Sequence, residues 1–435
     1  MYIDRLFLRN YRMFEDICID LNPDYSVIVG VNGAGKTTVL DALAIAASTM
    51  IYKISGAPKL SIKNKDARRE YYSIAASIDV QPQYPIGIAA FGKVATEEIS
   101  WMRTLNSEGG KTTIGQAKQL LEISEEYQER IKNGDNTLVL PIFAYYGTAR
   151  LVDTHKQRTL IKSKNNSRTN GYNGCFDGAP NISVMMDWFR KKTIQRYQGY
   201  EKGLSDSIDL DVVYKAIRLC LASFTKHGDA KVEYNFDTNE LDIYYFDNNG
   251  KRIRNPLSIM SDGFKEIISI TADIAYRMAV LNPQLEDNIL NKTEGIVLID
   301  EIDLHLHPAW QQHVMEALIS TFPKVQFIVT THAPAVINSV KSENLIILEN
   351  EKAREANSQI YGKDVNSVLK EIMGVDERPS YIADMFDDFY DKLDKKNLDE
   401  AEKILDHIAK IRDYHDPELA SCRIKLKMAR FRSEK

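Results

Sequence analysis

Hydrophobic positions along the chain follow two spacings, and the switches between them predict its elements. Ile3, Leu6 and Leu8 within residues 2–9, and the run Ile17 to Leu21, have the half-buried pattern of two short strands. Tyr25-Ser26-Val27-Ile28-Val29 is a denser apolar run, read as a buried strand, and Val39, Leu40, Leu43, Ala46 and Ala47 then recur at helical spacing. Strand-like runs at Tyr71–Val80, Ile86–Phe91 and Ile99–Arg103 predict an antiparallel sheet within residues 59–112, inserted after the first helix. A helix over Ile114–Lys132 precedes Thr137–Tyr146, whose apolar density predicts a buried central strand. Helical patterns over Ser183–Tyr200 and Leu210–Phe224 define a lobe within residues 150–225, and a hairpin follows at Lys231–Phe236 and Leu241–Phe246. Phe264, Ile267, Ile268, Thr271, Ile274, Ala275 and Met278 mark a long helix with Ser261 placed as its cap. Two more apolar strands, Gly295–Glu301 and Val325–Thr330, flank a helix over Ala309–Thr321; residues 351–435 are charged and helical. Strands alternating with helices give an α/β fold.

Composition narrows the setting. The net charge of −5 advertises no global affinity for nucleic acid, so any polyanion contact must be local. Residues 59–69 and 150–168 are basic, read either as such contacts or as solvated loops. The four cysteines, Cys18, Cys175, Cys220 and Cys422, are scattered and form no C-x-x-C pair, which fits a reducing cytoplasm and argues against a zinc site or disulfide framework. The first residues lack a signal-like apolar block and no apolar run approaches ~20 residues, so neither secretion nor a membrane span is expected.

The candidate chemistry lies where apolar strands end. Gly30 to Thr38, GVNGAGKTT, matches G-x-x-x-x-G-K-[ST] between a strand and a helix. In such a loop glycines turn backbone N–H groups inward around phosphate oxygens, and a helix N-terminus adds its positive dipole end. Asn32, Gly33, Ala34, Gly35, Lys36, Thr37 and Thr38 are the nucleotide-binding candidates, with Lys36 reaching the β- and γ-phosphates and Thr37 holding Mg²⁺. GIVLIDE ends in Asp300, a second Mg²⁺ ligand, and Glu301, which would polarise the attacking water. His332 follows strand VQFIVT and would reach the same sheet edge. His305, His307 and His332 invite a metal reading, but Pro308 keeps the first two from sharing a helical face and no cysteine completes a set.

In this order the motifs resemble the ABC-type ATPase head shared by SMC, Rad50, RecF and OLD proteins: GVNGAGKTT as Walker A, GIVLIDE as Walker B, Asp303 as the D-loop residue, His332 as a switch histidine, and Ser261-Asp262-Gly263 as a degenerate signature. The phrases YYGTAR, IDEIDLHLHPAWQQ and FIVTTHAP look most like the RecF-like ATPases of bacterial anti-phage defence, including Septu PtuA and retron-associated relatives. The resemblance implies a P-loop ATPase head over residues 1–350, a helical C-terminal region over 351–435, ATP with Mg²⁺, and a homodimer in which Ser261 and Gly263 of one subunit cap the γ-phosphate held by Lys36 of the other. It further implies a separate effector such as an HNH nuclease; the competing expectation is a RecF-like protein that binds DNA. Tyr145-Tyr146-Gly147-Thr148 stands where related heads often carry a Mg²⁺-binding glutamine. Arg150 is nominated as a charge sensor, and Arg12 either as a site residue or as a support for the phosphate loop.

Overall fold

The computed structural model describes residues 1–74, 77–94, 96–148, 150, 167–201, 208–224, 230–246, 250–356, 359–374, 380–411 and 417–433. Its strands are β1 (Tyr2–Tyr11), β2 (Phe14–Asp20), β3 (Tyr25–Val29), β4 (Arg69–Ile74), β5 (Ser77–Pro82), β6 (Ile86–Val94), β7 (Glu97–Leu105), β8 (Ile142–Tyr146), β9 (Lys231–Asn235), β10 (Glu240–Phe246), β11 (Arg252–Pro256), β12 (Gly295–Ile299), β13 (Val325–Thr330), β14 (Leu345–Glu349) and β15 (Lys352–Glu355). The chain divides into two compact units, Met1–Val365 and Asn366–Lys435.

The first unit is built on a six-stranded sheet in the order β15-β14-β3-β13-β12-β8. β14, β3, β13, β12 and β8 are parallel, and β15 returns antiparallel. Every residue of β12 and β13 is buried, as expected of parallel strands covered on both faces. This is why these segments read as unbroken apolar runs instead of alternating ones.

Two expectations change in detail. The apolar stretch before Tyr146 forms only the five-residue β8, and it lies at the sheet's edge, pairing with β12. It is buried because another segment covers that edge: Tyr145 N–H donates to Cys175 O at 2.7 Å and Gly147 N–H to Gly178 O at 2.8 Å. The strands after the first helix are antiparallel, but β6 and β7 extend the sheet of the first two strands, in the order β2-β1-β6-β7. Leu6, Leu8, Ile88 and Ala90 all need cover, and pairing β1 with β6 buries them on one face.

The three-stranded sheet β11-β10-β9 leads into helix Asp262–Leu281, which is buried along most of its length. Inside it, Arg277 Nε donates to Asp273 Oδ2 at 2.8 Å, and Tyr146 OH donates to the same oxygen at 2.8 Å. Trp188 packs edge-on against Phe189 and Tyr276, each at 5.3 Å between ring centroids, which is a packing role.

The second unit contains helices Ser380–Asp394, Leu398–Ile411 and Pro417–Ser433 around Phe386, Phe389, Ala401, Leu405, Ile408, Leu419, Cys422 and Leu426. Asp384, Asp387, Asp388 and Asp391 are exposed.

Candidate functional site

The C-terminal ends of β3, β12, β13 and β8 converge on one edge, the usual place for ligands in an open α/β sheet. From β3 the chain turns through Gly30–Gly35 into helix Lys36–Ser48. Gly33 and Gly35 have φ of 82° and 95°, in the left-handed region where a β-carbon is disfavoured. A Cβ at Gly35 would also come within 2.4 Å of the Phe14 ring and 2.6 Å of Met13 Sδ, so the β1–β2 turn braces the loop from outside. Lys36 Nζ donates to Gly30 O at 2.8 Å and Val31 O at 3.2 Å. Burial pushes the Lys36 pKa down against the opposing pull of Asp300, Glu301 and Asp303. Asn32, Gly33 and Thr37 are exposed, while Ala34 and Thr38 are half-buried.

Asp300 is held from two sides. Thr37 Oγ1 donates to its Oδ2 at 2.7 Å, and Thr330 Oγ1 to its Oδ1 at 2.6 Å. Thr330 Oγ1 also accepts the Glu301 N–H at 2.7 Å, so one hydroxyl at the end of β13 ties both carboxylate residues to the neighbouring strand. Thr331 repeats this one residue on, donating to Asp303 Oδ1 at 2.6 Å, an oxygen that also accepts the His332 N–H at 3.3 Å. Burial and nearby Lys36 lower the His332 pKa against Asp303, Glu301 and Asp300, which favours the neutral imidazole. Lys36, Thr37, Asp300, Glu301, Asp303 and His332, drawn from three distant segments, form one cluster. Sequence patterns alone do not single out Thr330 and Thr331; their signal is a pair of hydroxyls ending an apolar strand directly before His332.

The hydroxyl of Thr37 and the carboxylate of Asp300 form a hard-oxygen pair at the loop's edge, a donor set that fits Mg²⁺. His307 is engaged elsewhere, where its Nδ1 accepts the Ala309 N–H at 3.2 Å and caps the next short helix.

Ser261, Asp262 and Gly263 begin helix Asp262–Leu281, with Ser261 and Asp262 exposed. Ser261 occupies the cap position, but its side chain makes no capping hydrogen bond. Lys265 Nζ donates to Asp262 Oδ1 at 3.1 Å. Behind them, Phe264 packs against Trp310 at 5.0 Å.

Arg12 and Arg150 face inward. Arg12 donates to Asp41 Oδ2 at 2.6 Å and Asp66 Oδ1 at 3.0 Å, and Tyr145 OH donates to Asp41 Oδ1 at 2.9 Å. Asp41 lies on the phosphate-loop helix, so the Arg12 side chain braces that helix. Both tyrosines at the expected glutamine position are thereby committed, Tyr145 to Asp41 and Tyr146 to Asp273. Arg150 is 3% exposed and donates to Glu266, Gly147 O, Asp300 O and Glu301 O. The guanidinium is thus committed to one carboxylate and three backbone carbonyls of its own chain. Burial pushes the Glu266 carboxyl up to about 7 even with Arg150 beside it. Of the rest of the basic segment, Leu151 to Asn166 lie outside the described residues, while Arg168 donates to Leu281 O and Leu138 O, each at 2.7 Å.

Two retron ATPases align with most of the chain. The retron Vc95 probable ATPase of Vibrio cholerae serotype O1 biovar El Tor is 28% identical over 81% of this chain and 75% of that protein. The retron Ec83 probable ATPase of Escherichia coli is 27% identical over 92% of this chain and 80% of that protein. The Septu protein PtuA of Bacillus mycoides (strain KBAB4) is 34% identical over 34% of this chain and 21% of its own length. Among solved structures, the SMC head domain from Thermotoga maritima aligns over 82% of this chain and 98% of its own with a TM-score of 0.42 and 16% identity. The AAA_23 family model, described as AAA domain, matches residues 5–427, and the chain therefore belongs to the AAA domain family.

Proposed function

We propose that the chain is an ATP-binding and hydrolysing switch subunit of bacterial anti-phage defence, acting in the cytoplasm and controlling a separate effector such as an HNH nuclease. One observation carries this reading: Lys36, Thr37, Asp300, Glu301 and His332 share one edge, while Ser261 and Asp262 stand exposed at the start of another helix. The first set binds and cleaves a nucleotide. The second is free to face the nucleotide of another copy, so the active form is a homodimer and turnover is slow and dimerisation-dependent. The retron probable ATPases and PtuA support the setting.

Backbone N–H groups of Gly33 to Thr38 cradle the phosphates, and Lys36 compensates their charge. Thr37 and Asp300 would hold Mg²⁺, which when bound neutralises charge on the β- and γ-phosphate oxygens. Glu301 orients and polarises the attacking water, and His332, kept neutral, hydrogen-bonds at the γ-phosphate. Asp303, held by Thr331, shapes the loop between the two half-sites.

Steady-state ATP turnover of wild type and Glu301→Gln tests the assignment. Loss of a general base lowers turnover by about 10²- to 10⁴-fold, and the variant should accumulate ATP-bound dimer. Undiminished turnover removes Glu301 from the mechanism. ATP-dependent duplex binding that weakens steeply with salt would favour a RecF-like role in DNA maintenance instead.

A further inference from the structure

Helix Asp262–Leu281 meets the loop after β12 at two points. Gly263 lies so close to that loop that a Cβ would stand 2.4 Å from His305 O and 3.2 Å from Leu306 Cα. One turn further on, Glu266 Oε1 accepts from Arg150 Nε at 2.6 Å and also from Nη2. The same guanidinium donates to Asp300 O at 2.5 Å and Glu301 O at 2.8 Å. With side-chain exposures of 1% and 4%, neither Arg150 nor Glu266 has water to replace a lost partner. Helix and loop therefore shift together or break a buried pair.

Glu301 is the residue of the loop that Arg150 holds through its carbonyl. Its φ of 48° is unusual for a residue with a β-carbon, and its backbone is restrained at both ends, the amide by Thr330 and the carbonyl by Arg150. Among the described residues Glu266 Oε2 is buried without a hydrogen-bond partner, so they leave the pair incompletely satisfied.

We propose that Arg150 and Glu266 are positioning residues that carry the state of the Ser261–Gly263 segment to the Asp300–Glu301 backbone of the same chain. The inference rests on the switch reading and extends it. In a dimer, the exposed Ser261 and Asp262 face the partner's nucleotide, buried Gly263 passes their position to the loop, and Glu301 acts on the chain's own nucleotide, so this link makes each site answer to the other.

The test compares full-length wild type with Glu266→Gln, which keeps the shape and the acceptor oxygen but removes the charge, and with Arg150→Lys. Coupling between sites of the usual size, about 5- to 150-fold in affinity, makes wild-type turnover sigmoidal in ATP. Glu266→Gln should make the curve hyperbolic while leaving the affinity for a fluorescent ATP analogue unchanged. Hydrogen exchange at residues 299–306, measured without nucleotide, should rise in both variants. A hyperbolic wild-type curve, or a Glu266→Gln protein with wild-type sigmoidicity and wild-type exchange, overturns the link. Wild type without any turnover counts against the switch reading, and exchange alone then decides the link: a rise in Glu266→Gln supports it and no rise overturns it. If Arg150→Lys does not fold, the near-isosteric Glu266→Gln still decides.

Discussion

Thr37 Oγ1 donates to Asp300 Oδ2 at 2.7 Å, joining residues 263 positions apart in sequence. The bond sets a hydroxyl from the phosphate-loop helix against a carboxylate from the end of β12, and Thr330 locks the carboxylate's other oxygen. Thr37→Ala and Asp300→Asn should each weaken ATP binding in the presence of Mg²⁺. A hydrogen bond to a charged group is worth about 1.5–3 kcal/mol, roughly 10- to 100-fold in Kd. Titration of a fluorescent ATP analogue with and without Mg²⁺ checks this, since the Mg²⁺-free affinity should change much less. Equal losses in both conditions would assign the pair to folding of the loop.

Two loop glycines should behave differently. Gly33 has φ of 82° with no described residue within 4 Å of the point a β-carbon would occupy, whereas Gly35 combines φ of 95° with close approach to Phe14 and Met13. Gly33→Ala carries only the left-handed backbone penalty, about 1–2 kcal/mol. Gly35→Ala adds a steric clash, so nucleotide binding should be lost in this variant and merely weakened in the other. Similar binding curves for the two would show that the β1–β2 turn yields easily.

The Glu266 carboxyl makes stability pH-dependent. It sits at about 7, raised chiefly by burial, with Arg150 pulling it down and Asp303 and Asp262 pushing it further up. An unfolded glutamate titrates near 4.5. Between these values the folded protein keeps a proton that the unfolded chain has released, so this group's contribution falls as pH rises through that window. The full effect is about 3 kcal/mol. Denaturation midpoints of wild type and Glu266→Gln, measured from pH 4.5 to 8, should show a shallower decline in the variant; parallel curves would mean that Arg150 keeps the carboxylate ionised.

The C-terminal helices depend on a small core. Phe389 is 0% exposed among Leu405, Ile408 and Cys422. Phe389→Ala should cost about 3–5 kcal/mol, a large share of what so few residues can supply, and proteolysis within residues 380–433 should accelerate. Wild-type resistance would mean that neighbouring side chains refill the space.

What the sequence determined by itself is most of the elements and the residue types at their ends; it merged β4 and β5 into one run over Tyr71–Val80, and it read residues 351–435 as helical where β15 returns to the sheet. GVNGAGKTT after an apolar strand, Asp300-Glu301 after a second and His332 after a third are local patterns, because buried strands demand apolar runs and phosphate loops demand glycine. Tertiary structure decided which groups those residues answer to. Arg150 reads in sequence as a basic residue opening a basic loop, yet its partner Glu266 lies 116 positions away and its other acceptors are backbone carbonyls. Arg12 finds Asp41 in the same way, β8 takes an edge because residues 175–178 cover it, and β6 joins β1 because both have an apolar face to hide. Periodicity records that a side chain must leave water. It does not record which distant hydrogen-bonding group will replace that water, and only the folded chain makes that choice.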